Sequence, residues 1–277
     1  MKLLEKDDIK RYLQNFKGTM LDARIRDRLA EIKQVEVENG DQAGAKDTWC
    51  LEQVYKIVNH YVSAYSCLKE NKHFDAWNHY DRADIEFSFL KKHLDYTDNK
   101  FKLLFIYNYI PKFQKLFPYQ YFMSRESIVK SEHCSVCGQK LSLRQSCGHH
   151  VGEIYNGEQC FRVVDDLEFL GMAIVKNPFD KYTVLFPQGM EYNYHMLDKL
   201  VEHLDSPFEK WDLRISKELR KEYRNIGRNK PCPCNSGEKY KKCCYQSGND
   251  RYEHYRILFL EKKTNFYEPV TMINTWK

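Results

Sequence analysis

The sequence predicts an α+β protein, mainly α. Apolar residues recur at three- and four-residue steps through the first 130 residues, short β-forming runs follow residue 160, and cysteines gather in two tight groups. In the first part, Leu51, Val54, Tyr55, Val58, Tyr61, Val62, Tyr65 and Leu68 draw one helical stripe. Phe74, Trp77, Tyr80, Phe87, Leu90 and Leu94 draw a second, with Asn71 and Lys72 as the turn between them. A third helix follows Asp98, carries Phe101 to Ile110 and meets Pro111, which should kink or end it. Asn39 to Lys46 holds two glycines and no large apolar residue, so it reads as a loop. The wide aromatic stripes predict helices packed as a bundle.

After Cys160 the pattern changes. Phe161 to Val164, Met172 to Val175 and Tyr182 to Phe186 read as two or three short antiparallel strands, followed by a helix from about Tyr192 to Leu204. Ser206-Pro207-Phe208-Glu209 has the form of a helix start: a capping residue, proline at the first helical position, and Glu three residues after the cap. A basic helix is therefore expected over 206–226, stopped by Gly227. Tyr255 to Leu260 reads as a strand. The expected organisation is a helical domain over 1–130, an α+β region over 131–205, the basic helix, a cysteine motif over 227–246, and a strand and tail over 247–277.

Composition narrows the class. The 277 residues are 42% hydrophobic and 14% aromatic, too aromatic for a disordered chain. Mean hydropathy is −0.70, and no run approaches the roughly 18 apolar residues of a membrane span. Met1 to Phe16 mixes apolar residues with Glu5, Lys6, Asp7 and Asp8, unlike a signal peptide. A soluble, cytoplasmic protein is expected. The net charge of +5 is uneven: Lys210 to Lys242 holds eleven Lys/Arg against four acids, which leaves the rest of the chain slightly acidic. Such a block suits an anionic partner, although a solvated face would show the same count.

Eight of the ten cysteines fall in the two groups, leaving Cys50 and Cys67 apart. Tight clusters without a secretory signal read as thiolate metal sites, not a disulfide framework. Cys134-Ser135-Val136-Cys137-Gly138 has the spacing of a zinc-knuckle arm, and Cys147-Gly148-His149-His150 follows after nine residues. Compact spacing favours Cys134, Cys137, Cys147 and His149 as ligands. Cys160 competes for the fourth place; otherwise it is a buried small residue opening the strand after it. His150 reads as a neighbour of the site or a surface histidine. The stretch from Cys147 to Cys160 is similar to segments of uncharacterised bacterial proteins, a likeness that carries no activity.

The second group is Cys232-Pro233-Cys234, eight residues, then Cys243-Cys244. Four thiolates fill a tetrahedral Zn²⁺, so this site is expected to be structural, with Lys239, Lys241, Lys242 and Arg228 offsetting its negative charge. The run from Gly227 to Cys244, GRNKPCPCNSGEKYKKCC, resembles the SEC-C motif. Asn235 stands where glycine is usual, and Asn is the side chain that best tolerates the left-handed backbone such a turn needs. The resemblance implies zinc binding and, as in the translocase ATPase that carries this motif, contact with a chaperone and the ribosome. It covers about eighteen residues, and no GxxxxGK[ST] phosphate loop accompanies it.

Other chemistry is faint. Asp81, Asp84 and Glu86 read as solvated surface, and the scattered histidines lie on helix or strand patterns without evident partners. No Gly-x-Ser-x-Gly elbow or HExxH helix occurs. The expected function is a non-catalytic adaptor with two structural Zn²⁺ sites, presenting a basic surface to a protein or ribonucleoprotein partner. The alternative is a zinc-dependent nuclease, or a nucleic-acid-binding component of a bacterial antiviral defence system, using His149, His150, Glu153 and Asn156.

Overall fold

The structure is a computed structural model and describes residues 5–142, 144, 146–260 and 269–270. Five helices come first: α1 (Lys6–Asn15), α2 (Arg24–Glu38), α3 (Gln42–Lys69), α4 (His73–Leu90) and α5 (Leu103–Leu116). The two stripes read from the sequence are α3 and α4, which form an antiparallel pair joined at Asn71 and Lys72. Asn71 takes a left-handed φ of 58° at that turn. The expected loop at Asn39 to Lys46 shrinks to three residues, because Asp41 caps α3 by accepting from the Gly44 N–H at 2.9 Å. Pro111 lies inside α5, which continues to Leu116. Phe113 and Leu116 are both buried beyond it, and their burial outweighs the single hydrogen bond that proline removes.

Helical structure ends earlier than residue 130. The chain turns into β1 (Phe122–Cys134), then β2 (Lys140–Leu141), β3 (Ile154–Tyr155), β4 (Glu158–Gln159) and β5 (Arg162–Val175). Sheet order is β2-β1-β5, all antiparallel, with β3 and β4 as a separate hairpin. The two short strands expected at Phe161 to Val164 and Met172 to Val175 are the ends of one fourteen-residue strand. Tyr182 to Phe186 contributes a single bridge, Val184 to Phe122. Helix α6 (His195–His203) falls inside the expected Tyr192 to Leu204 span.

The basic helix over 206–226 does not form. Residues 205–209 make the turn that the capping signature describes: Ser206 Oγ accepts from Phe208 N–H at 3.2 Å, and Glu209 Oε2 from Asp205 N–H at 2.8 Å. The chain then enters β6 (Trp211–Leu219), followed by a 3₁₀ turn at Lys221–Tyr223. The reason is in the sequence: Trp211, Leu213 and Ile215 alternate with Asp212, Arg214 and Ser216, a period of two that outweighs the cap. β6 pairs antiparallel along its whole length with β7 (Arg251–Phe259), from Trp211–Phe259 to Leu219–Arg251. Between them lie the 3₁₀ turn Tyr240–Lys242 and the short α7 (Cys244–Ser247). β8 (Pro269–Val270) adds two further rungs.

One apolar core runs through the bundle, α6 and the roots of both long hairpins. Phe122 at the start of β1 lies 6.1 Å from Trp77, and Trp211 at the start of β6 packs edge-on to Phe113 at 5.0 Å while its N–H donates to the Tyr109 hydroxyl. Tyr61 and Tyr65 of α3 donate to the carbonyls of Pro207 and Leu204, fixing the turn before β6. The histidines are partnered after all. His73 bonds Asp198 at 2.7 Å and stacks on Tyr194, while His60 and His79 meet through Nδ1 at 3.0 Å. Asp81 is buried, not solvated, and burial pushes its carboxyl up to about 6.

Burial, and then the neighbouring His79, bring His60 down to about 4. A histidine held neutral in the fold and free to charge when unfolded favours unfolding in acid. Stability is expected to fall as the pH drops from about 6.5 towards 4. His60→Gln should flatten that part of a melting-temperature profile. Trp211→Ala should cost about 3–5 kcal/mol in urea unfolding, because it empties the contact that roots β6 on α5.

Candidate metal centres

Both cysteine groups sit at the tips of the long hairpins. β1 ends at Cys134, whose rung partner is Arg162, and the first group fills the connection between them. Gly138 takes a φ of 70° and its N–H donates to the Cys134 carbonyl at 2.9 Å, turning the chain so that β2 returns against Glu132 and His133. The Val136 N–H points at Cys134 Sγ, 3.4 Å away. Gly148, with φ 82°, brings Cys147 and His149 to the same place. His149 Nδ1 lies 3.7 Å from Cys134 Sγ, and its ring meets Tyr155 edge-on at 4.7 Å.

The ligand atoms of Cys134, Cys137, Cys147 and His149 all lie within 4.8 Å of one another. A tetrahedron with arms of ~2.3 Å has edges of ~3.8 Å, so the spacing suits Zn²⁺. Cys160 is also close, with Sγ 3.9 Å from that of Cys134, and it is as buried as Cys134. It is a fourth thiol, and a fifth candidate donor, beside the Cys₃His set.

The loop carrying these donors is clamped to the bundle. Asn156 and Gly157 have positive φ of 49° and 69°, the two-residue turn that joins β3 to β4. Gln42 holds Asn156 from both sides, donating to its Oδ1 at 2.7 Å and accepting from its N–H at 3.0 Å. Lys33 bridges Glu52 and Glu158, and His93 Nε2 bonds the Gly152 carbonyl at 2.8 Å. Sequence reasoning missed these clamps; the Asn-Gly pair was their one local signal. They also take Asn156 out of any catalytic arrangement, since its carboxamide is spent on Gln42.

The second group lies between β6 and β7. Cys232 and Cys244 are buried and Cys234 is exposed. Sγ–Sγ distances are 3.3 Å for Cys232–Cys234, 3.4 Å for Cys234–Cys243 and 3.9 Å for Cys243–Cys244, and all four sulfurs lie within 4.8 Å of one another. Asn235 takes the left-handed φ of 62° its position calls for, and Gly237 follows at 80°. Pro231 bridges to Lys239, and Cys232 N–H donates to the Glu238 carbonyl at 2.8 Å.

Two residues outside the motif complete it. Tyr223 donates to Cys244 Sγ at 3.3 Å and packs beside Tyr240, whose hydroxyl bonds the buried Asp250. Tyr223, Tyr240, Cys232 and Cys244 form a small core of their own.

The electrostatics of both clusters fit a cation. Burial opposes ionisation of Cys134, yet the N–H groups of Cys137 and Val136, with the thiols of Cys147 and Cys137, bring it down to about 6. The Ser236 hydroxyl and the neighbouring Cys232 thiol bring Cys234 down to about 6. Burial, then the neighbouring Cys134, push Cys160 up to about 11. Each group thus sets one readily ionised thiol beside others held up by their neighbours, Cys137 and Cys160 in the first and Cys243 and Cys244 in the second, and a divalent ion would relieve that crowding.

Residues 228–246 match the SEC-C motif family, a zinc-binding motif. Protein translocase subunit SecA of Trichlorobacter lovleyi is 67% identical over 27 residues, which is 10% of this chain and 3% of that one. The SecA subunit of Syntrophus aciditrophicus is 52% identical over 33 residues, 12% of this chain and 4% of its own. A UPF0225 protein of Photorhabdus laumondii is 84% identical over 19 residues, 7% and 12% of the two chains. These likenesses are confined to the motif, and the chain spans only a few per cent of the SecA relatives. No solved structure matches the chain significantly. The motif and the two clusters fit a zinc-binding protein. Among the described residues, no helix is long and apolar enough to cross a membrane.

Elemental mass spectrometry of the full-length protein should find two zinc ions per chain, and one after either Cys137→Ser or Cys234→Ser. Loading should fall as pH is lowered, because protons compete for the thiolates. Tyr223→Phe should weaken zinc binding at the second cluster by roughly tenfold, as loss of a hydrogen bond to a ligand does elsewhere. None of the eight predicted ligands belongs to the main apolar core, so chelation should leave the far-ultraviolet helical signal standing.

Proposed function

We propose that this chain is a non-catalytic, zinc-stapled interaction protein whose SEC-C motif presents a basic surface to a ribonucleoprotein. The observation that carries this reading is the charge left over around the second cluster. Arg228, Lys230, Lys239, Lys241 and Lys242 are all exposed. A zinc bound by four thiolates has a formal charge of −2, which five cations more than offset. The lysines among them make no ion pair within the described residues. Arg214 and Arg256 form a separate cross-strand pair further along the β6–β7 hairpin. Two like charges directly opposite one another cost stability, a cost that an anion lying across them would remove.

Closed four-donor clusters support a structural role for the metals, since neither leaves a position for water. In this reading the zinc fixes the shape of the loop, and the cations recognise phosphate. Because β7 follows the motif and pairs with β6, the test is made with substitutions in the intact chain. Ribosomes or structured RNA should bind the wild-type protein with an affinity that falls roughly 150-fold between 50 and 200 mM salt, the slope of about four phosphate contacts. Lys239→Glu with Lys241→Glu and Lys242→Glu should abolish binding while zinc content stays at two. An affinity independent of salt, or unchanged in the triple variant, would sink this reading.

A further inference from the structure

The β1–β5 ribbon has one apolar face exposed to solvent along most of its length. Antiparallel register puts Met123 with Ile174, Arg125 with Met172, Ser127 with Phe169 and Val129 with Leu167. Members of a rung share a face, and β1 is regular from Met123 to Val129, so these four rungs face the same way. The bulge at Leu170 makes this happen. Without that extra residue, Met172 and Phe169, three apart, would point to opposite sides. Paired bulges at Lys130 and Asp165 then return Val164, with Glu132, to this face. The opposite face mixes the exposed Ile128 and Val163 with Glu126, Glu168 and Asp166.

Apolar side chains left in water along a ribbon cost free energy that covering the face would recover. Ile174 is 65% exposed, Met172 63%, Phe169 54%, Leu167 53% and Val129 49%. We propose that this face is a self-association surface, covered by the same face of a second copy of this chain.

Three features select that occupant. The five exposed side chains offer roughly 500 Å² of apolar surface, taking full areas of about 150–220 Å² each. A standard interface buries about 800 Å² per partner, and homodimer interfaces are about 65% apolar, which also comes to about 500 Å². The second feature is charge. Arg125 lies towards one end of the face and Glu132, held by Arg162 at 2.9 Å, towards the other. A two-fold axis between the Phe169 and Leu167 rungs therefore brings each cation opposite the partner copy's anion, as an isologous contact requires. Third, acids outnumber cations on the ribbon's other side: Lys130 pairs with Glu168 and His133 with Asp165, both at 2.6 Å, while Glu126 and Asp166 oppose an anionic surface such as nucleic acid or an acidic lipid bilayer. This association involves a different hairpin from the basic surface and does not depend on it.

Sedimentation velocity on the full-length, zinc-loaded protein reads the outcome. The wild type should sediment at twice the 33.3 kDa chain mass at tens of micromolar. Ser127→Lys places a charge at the centre of the face from an exposed position that supports nothing else, and it should give monomer at the same concentration. Phe169→Glu should do likewise, while Glu126→Ser on the opposite face should leave the dimer intact. Circular dichroism and zinc content confirm folding of each variant. A monomeric wild type, or a dimer that survives Ser127→Lys, would overturn the proposal. So would a monomeric wild type whose ribbon amides gain hydrogen-exchange protection only with another protein, which would identify a heterologous partner instead.

Discussion

The convergence of sulfur donors where two long antiparallel hairpins close is the constraint on which the shape of both tips depends. A hairpin is normally closed by two to five residues whose backbone conformation sets the register. Here β1 and β5 are joined through residues 135–161, and β6 and β7 through residues 220–250. Closing loops of that length costs conformational entropy, and neither has enough apolar residues to offset it. The second loop has a core of two tyrosines and two cysteines; the first leans on polar clamps from Lys33 of α2, Gln42 of α3 and His93 just after α4. Four donors converging on one point supply what the loops lack, because a bound ion adds several strong contacts to one small region.

This arrangement explains which parts were legible in the sequence. The stripes of α3 and α4 are wide and regular, so period alone located them. The eight predicted ligands were legible because metal-ligand spacing is local: a knuckle and its return arm are written within a few residues. The strands were not. β1 reads FMSRESIVKSEHC, and most of its length is exposed, so no burial pattern marks it. β5 hides its period behind bulges at Leu170 and Asp165, which break the alternation where a sequence reader would look for it. β6 was masked by a real turn signature at Ser206 to Glu209, whose turn forms and then leads into a strand. The position of the SEC-C motif was invisible for a related reason. It resembles a terminal appendage, yet the strand after it pairs back with the strand before it, a long-range fact that spacing does not encode.

The two hairpins share a plan and differ in surface. Each is rooted by an aromatic residue at its first position, Phe122 against Trp77 and Trp211 against Phe113, so the bundle serves both as a platform. From there the first ribbon divides into an apolar face and a mixed one, whereas the second ends in exposed cations around its cluster. Surfaces that differ in this way on projections from one body would suit different kinds of contact. Apolar association tolerates salt, and contact with phosphate does not.

The location of the metals also fixes what they can control. Because the main core contains none of the predicted ligands, a bound ion would add little to the cohesion of the bundle and much to the order of the tips. Tyr223 and Asp250 show how narrow that dependence is. Arg220 N–H donates to the Asp250 carbonyl at 2.9 Å, tying the two ends of the loop together just beyond the Leu219–Arg251 rung. Tyr223 then reaches Cys244, and Tyr240 reaches Asp250. The last rung of β6–β7, the tyrosine pair and the sulfurs therefore form one continuous set of contacts. Loss of an ion bound there would release the loop back to that rung, where strand pairing continues, and would leave the platform beneath it standing.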